Sequence, residues 1–240
     1  MLFFDQQEYA VRCEWGPVGV AELAPHSDVV IIVDVLSFST CVDVAVANGA
    51  WVYPYRWRDG SAQGYADSLG AILAAARRTL SGYTLSPASL GAIPAGTRLV
   101  LPSPNGSTLT LATGAVPTLA GCLRNAAAVA QVAARLGRRI LVVPAGERWP
   151  AGSLRPALED LIGAGAIIAH LPGARSPEAE WAATTFAHFQ PALLGTLQRC
   201  SSGKELIGQG FAADVVLAAD LDCSRAAPLL TDGAYTDGAA

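Results

Sequence analysis

Charge is scarce in this chain. Only 15% of its 240 residues are Asp, Glu, Lys or Arg, and the net charge is −4. No basic block and no basic–aromatic interleaving occurs, so nucleic acid is not an expected partner. Histidine is limited to His26, His170 and His188, none in a local motif with a nucleophile. The five cysteines (Cys13, Cys41, Cys122, Cys200 and Cys223) are scattered, odd in number and without CxxC spacing. Neither a zinc site nor a disulfide framework is therefore expected. The patterns GxxxxGK[ST], GxGxxG and DxDx[TV] are all absent, which sets aside the P-loop, the dinucleotide fingerprint and the aspartyl-phosphate hydrolases. Mean hydropathy is +0.36, yet no apolar run reaches the roughly 18 residues of a membrane span. The start, MLFFDQQEY, lacks the basic region of a signal peptide. A cytoplasmic protein with no membrane partner is the default expectation.

What is abundant is aliphatic sequence, with 52% hydrophobic residues. Apolar, β-prone runs occur at VVIIV (29–33), AWVYPY (50–55), RLVLP (98–102) and RRILVVP (138–144). Between them lie Ala-rich stretches at helical period, SLGAILAAARRTL (68–80), NAAAVAQVAARLG (125–137) and ALEDLIGAGAIIAHL (157–171). Strands without in/out alternation must be covered on both faces, which predicts an α/β/α sandwich with parallel strand pairs. The chain is expected to form a single domain over 1–240. Residues 29–55 and 97–121 share an order of strand, loop, Ser-Thr, short apolar helix and Gly-Ala. Two copies of one unit is the physical reading; chance similarity in an Ala/Gly-rich chain is the alternative.

Ligands of open α/β sheets gather where strands end and helices begin. Four polar segments fall at such places: DVLSFST (34–40), SPNGST (103–108), PAGERW (144–149) and ALED (157–160). Asp34, Glu147, Glu159 and Asp160 offer hard oxygen ligands and Asn105 a neutral one, a set that suits Mg²⁺. The hydroxyls of Ser39, Thr40, Ser107 and Thr108 stand at helix starts and could bind phosphate oxygens. Arg148 could fork onto a second anionic group. Each residue has a plainer role available as a turn, a cap or a solvated charge. Asp160 adjoins an apolar stretch, so one of Glu159 and Asp160 is expected to face inward. A cysteine hydrolase using Cys41 is a third reading, without a histidine to support it.

The ordered set VIIVDVLSFST, ANGA, PNGST, GCLRNAAAVA, PAGE, LEDLIGAGAI and SSGKELIGQGFAADVVLAADLD resembles the 2-phosphosulfolactate phosphatase (ComB-like) family over nearly the whole chain. The resemblance implies a three-layer α/β/α fold of two similar, intertwined halves with mixed sheets. It also implies Mg²⁺-dependent removal of phosphate from 2-phospho-3-sulfolactate, a step toward coenzyme M. Asp34, Asn105, Glu159 and Asp160 are then the expected catalytic residues and metal ligands. Ser39, Thr40, Ser107 and Thr108 become the expected phosphate contacts. The first loop departs from the family, with Ser37-Phe38 where Arg-Ala is usual. Arg148, or Arg124 from GCLRN, could replace that arginine for a small anionic phosphorylated substrate. The alternative is a diverged member that binds a small anion without turnover. Intertwined small enzymes of this composition are often dimers, so a homodimer is also expected.

Overall fold

The structure, a computed structural model, describes residues 3–56, 59–75 and 82–239. In chain order the elements are β1 (Val11–Cys13), α1 (Gly16–Leu23), β2 (Val29–Val33), α2 (Phe38–Ala47), β3 (Trp51–Tyr55) and α3 (Gly60–Leu69). Next come β4 (Ile72–Leu73), β5 (Arg98–Pro102), α4 (Gly106–Thr110), β6 (Thr118–Gly121), α5 (Ala126–Leu136) and β7 (Ile140–Pro144). A small hairpin of β8 (Glu147–Arg148) and β9 (Leu154–Arg155) precedes α6 (Leu158–His170) and α7 (Pro177–Phe189). The chain closes with α8 (Leu193–Arg199), α9 (Ser201–Gly208), α10 (Ala212–Ala218), β10 (Pro228–Thr231) and β11 (Ala234–Asp237).

Among the described residues, nine strands form one mixed sheet in the order β1-β7-β2-β6-β10-β11-β3-β5-β4. On one side β1, β7, β2 and β6 are mutually parallel; on the other β3, β5 and β4 are. The β10–β11 hairpin joins the two sides by antiparallel pairing to β6 and β3. Its two-residue Asp232-Gly233 turn is the chemistry that tight hairpins favour. The units β2–α2–β3 and β5–α4–β6 exchange strands, since β2 pairs with β6 and β3 with β5.

The continuous aliphatic runs exist because both faces of these strands are covered. Ile31 and Val33 of β2 pack with residues of α5 and α6, while Val30 and Ile32 pack with α1 and α4. On the other side Leu99 and Leu101 of β5 pack with α2, and Val100 packs near Ala66 of α3. Each such side chain contributes about 1.5–3 kcal/mol by leaving water. The result is the three-layer α/β/α sandwich with intertwined halves.

One expected helix is displaced. The helical reading over 68–80 fails because α3 ends at Leu69, with Gly70 as a left-handed C-cap (φ 58°). Ile72 and Leu73 then pair with β5 as an edge strand. The 76–80 part of that stretch lies outside the described residues. Among the described residues, no helix is long and apolar enough to cross a membrane.

Candidate active site

The register of β2 on β7 sets Val33 beside Pro144. Asp34 therefore leaves β2 next to the segment Ala145–Glu147, and Ala145 N–H donates to the Val33 carbonyl at 2.8 Å. Asp34 is only 5% exposed. Its Oδ2 accepts from Gly106 N–H at 2.9 Å, which ties the start of α4 onto the end of β2. Its Oδ1 accepts from Phe38 N–H at 3.3 Å, at the start of α2. One carboxylate thus holds the first residues of two helices, where free N–H groups need acceptors.

Asp160, in the first turn of α6, makes a second clasp. Its Oδ1 accepts from Val35 N–H at 2.8 Å and its Oδ2 from Gly146 N–H at 2.9 Å. Burial, followed by the charges of Glu159 and Asp34, holds the Asp160 carboxyl well above the ordinary carboxylate range. The backbone bond from Val35 opposes that shift, and burial and repulsion outweigh it. Glu159 is buried too. Burial and the neighbouring Glu159 push the Cys200 thiol, at the N-cap of α9, up to about 12. Both acids of the ALED segment therefore face inward, correcting the expectation of one: the first turn of α6 has the strand ends on one side and the start of α9 on the other.

Glu147 completes the cluster from β8. Asn105 Nδ2 donates to its Oε2 at 2.9 Å, joining two loops 42 positions apart in sequence. Burial, then Asp34, raises the Glu147 carboxyl to about 7, against the hydrogen bond from Asn105. Glu159 raises it further and Arg155 lowers it. Arg155 pairs directly across the hairpin from Glu147, and its Nη2 donates to Ser202 Oγ at 3.3 Å. A cleft of about 200 Å³ opens beside this cluster, with Asn105, Thr108, Glu147 and Arg148 in its lining.

Gly146 makes the close approach possible. Its φ is +69°, and a Cβ there would lie 2.7 Å from Leu154 Cδ1 and 3.0 Å from the Arg155 carbonyl oxygen. Gly146→Ala is expected to cost more than about 1 kcal/mol and to weaken the Asp160 clasp. Chemical denaturation of the variant against wild type measures that cost.

Asp34, Glu147, Glu159 and Asp160 thus gather at the strand ends, around loops that carry the Asn105 amide and the Thr108 hydroxyl. The model of the 2-phosphosulpholactate phosphatase family matches residues 20–233, which contain every residue of this cluster. The chain belongs to that family. A "Probable 2-phosphosulfolactate phosphatase" of Gloeobacter violaceus is 31% identical, over 88% of this chain and 92% of its own. A protein of the same description from Carboxydothermus hydrogenoformans is also 31% identical, over 83% of this chain and 84% of its own.

In this member of the 2-phosphosulpholactate phosphatase family, several expected contacts are engaged elsewhere. Ser39 Oγ donates to the Ile32 carbonyl and accepts from Asp34 N–H. Thr40 and Ser107 donate to the Val35 and Leu101 carbonyls. All three are fully buried, so they fasten helices to strand ends; of the four hydroxyls only Thr108 borders the cleft. Arg124 does not join the cluster: its Nε lies 3.0 Å from Asp43 Oδ2, and Asp43 is fully buried. Phe38 is buried edge-on to Tyr235. Arg148 is exposed and its Nη1 donates to the Gly152 carbonyl. Cys41 is buried inside the core around α2, and His170 sits at the opposite end of α6 from Asp160. The sequence reading missed Arg155, whose only signal was its place four residues ahead of Glu159.

Proposed function

We propose that the chain is a Mg²⁺-dependent phosphatase that hydrolyses a small anionic phosphomonoester. The substrate is 2-phosphosulfolactate or a related phosphorylated 2-hydroxy acid. The observation that carries this reading is the buried cluster of Asp34, Glu147, Glu159 and Asp160 beside an open cleft. Like charges gathered away from water favour either protons or a bound cation. Among the described residues no three of His, Cys, Asp and Glu are arranged to hold a metal by themselves. Mg²⁺ is commonly bound by one or two carboxylates together with the phosphate of the substrate. One or two carboxylates from the set Asp34, Glu159 and Asp160, with Asn105 beside them, are the groups that would hold it. The cation would offset the phosphoryl charge and polarise its oxygens.

The chain's own groups supply the rest. Thr108 and Asn105 line the cleft, and in this reading the Thr108 hydroxyl and the second N–H of the Asn105 amide donate to phosphoryl oxygens. Arg148 at the rim holds the carboxylate of the hydroxy acid. Glu147, with its carboxyl near pH 7, moves the proton: it takes one from the attacking water or gives one to the departing alkoxide. Asp34 and Asp160 keep the loops that bear these groups in register. Phosphate release from phosphorylated 2-hydroxy acids, titrated with Mg²⁺ and reversed by chelator, tests the proposal. Turnover is expected to appear only with the cation, and metal-independent turnover would sink it.

The clasps themselves favour a second reading, in which Asp34 and Asp160 serve the fold alone and the site binds an anion without turnover. Ligand-induced thermal stabilisation with no phosphate release under any metal would establish that reading instead.

A further inference from the structure

The cleft beside Glu147 has mostly apolar walls. Its polar lining is Asn105, Thr108, Glu147 and Arg148, and Asn105 is hydrogen-bonded to Glu147 of the acidic cluster. The other walls are apolar: Trp15 and Val18 from the start of α1, Pro104 and Leu109 around α4, and Leu154 from the β8–β9 hairpin. Val18 is 70% exposed and Leu154 37% exposed, so large aliphatic side chains stand open to solvent on two sides of the cleft. Among the described residues Arg148 is the only cationic side chain in the lining, and it is tied to the hairpin turn through Gly152. The first loop adds no cation, because DVLSFST (34–40) holds neither Lys nor Arg.

A ligand whose phosphate reaches Asn105 and Thr108 has the rest of its atoms in this apolar space. A sulfonate placed there would face Glu147 and hydrocarbon walls, and an anion taken from water without partners costs several kcal/mol. An apolar group there instead covers exposed Val18 and Leu154. The volume sets its size. A dry cavity of about 150 Å³ takes a benzene ring, so about 200 Å³ suits one ring or a branched alkyl group.

We propose that this cleft selects the organic part of the substrate, and that the substrate is a phosphorylated 2-hydroxy acid bearing a single aromatic ring or branched alkyl group. The assignment rests on the phosphatase reading for the phosphate end and on the apolar walls for the other. In it Trp15 provides a ring face, Leu154 and Val18 close over the apolar group, and Arg148 holds the carboxylate. Leu154 and Val18 are specificity residues; neither touches the phosphoryl group.

Binding is measured separately from turnover. The full chain, with Mg²⁺, is titrated calorimetrically with 3-phenyllactate and with 3-sulfolactate, in wild type and in Leu154→Asp and Val18→Asp. Burying a ring rather than leaving it exposed predicts that 3-phenyllactate binds about ten- to a hundredfold more tightly than 3-sulfolactate. Both variants should erase most of that ratio. Both positions are partly exposed, so the variants are expected to fold, which circular dichroism verifies. Equal or tighter binding of 3-sulfolactate, no binding of 3-phenyllactate, or a ratio unchanged in both variants overturns the assignment. Phosphate release from the two phosphorylated forms is followed in parallel. A phenyl preference in binding with no release from either ester upholds the cleft assignment and overturns the phosphatase reading alone.

Discussion

Asp34→Ala is expected to abolish phosphate release and to lower stability by about 2–4 kcal/mol. Both effects follow from one geometry. The carboxylate accepts Gly106 N–H and Phe38 N–H, and alanine leaves these groups without that acceptor. An unsatisfied buried donor costs about 1–3 kcal/mol. The start of α4 then loses its tie to β2, and with it the placement of Asn105 and Thr108. Asp34→Asn separates the two roles. It keeps one oxygen acceptor but sets an amide against the other N–H, so it should recover part of the stability and none of the activity. Urea unfolding with phosphate release on the same samples checks this. An alanine variant as stable as wild type would show that the clasp contributes nothing.

Glu147→Gln is expected to lower kcat by about 10²–10⁴-fold, the usual worth of a positioned acid or base. The pH profile should lose the limb set by a group titrating at about 7. The amide retains the partnership with Asn105 in outline, so the loss falls on the proton rather than on the loop. Stability carries an independent sign. The Glu147 carboxyl rises from 4.5 in the open chain to about 7 when folded. Between these values the folded state binds more protons than the unfolded state, so stability falls as pH rises through this window. In chelator, the wild type should be more stable near pH 5 than near pH 8, and Glu147→Gln should flatten that slope. Denaturation midpoints across the range report it. A slope that is unchanged in the variant assigns the pH dependence to Asp160, whose carboxyl is also raised.

The sheet was legible where burial on both faces leaves its mark on composition. The runs 29–33, 98–102 and 138–144 contain β2, β5 and β7 because helices cover both sides of each strand. The short strands β1 and β4 carry too few residues to show a period, and β4 lay hidden in an Ala-rich stretch that reads as helix. The acids of the site were visible as acids at strand ends. Their partners were not, because the Asn105–Glu147 and Asp34–Gly106 contacts join residues 42 and 72 positions apart. Hydroxyl at a helix start is an ambiguous signal for the same reason: Ser39 and Ser107 found strand carbonyls nearer than any phosphate. The apolar cleft could not be read at all, since Trp15, Leu109 and Leu154 become neighbours only after α1, α4 and the β8–β9 hairpin have assembled.

The exchange of strands between the two strand–helix–strand units has a kinetic side. Neither unit owns a complete sheet: β2 lies between β6 and β7, and β3 reaches its parallel neighbour β5 only across 42 intervening residues (56–97). β1 waits for β7, which is synthesised more than a hundred residues later. Much of the backbone pairing is therefore deferred until most of the chain is present, and loop-closure entropy must be met before those contacts form. The early chain emerges with its most aliphatic strand, VVIIV, unpaired, so the same interleaving that brings Asp34, Asn105 and Glu147 together leaves the nascent protein exposed to association with other chains.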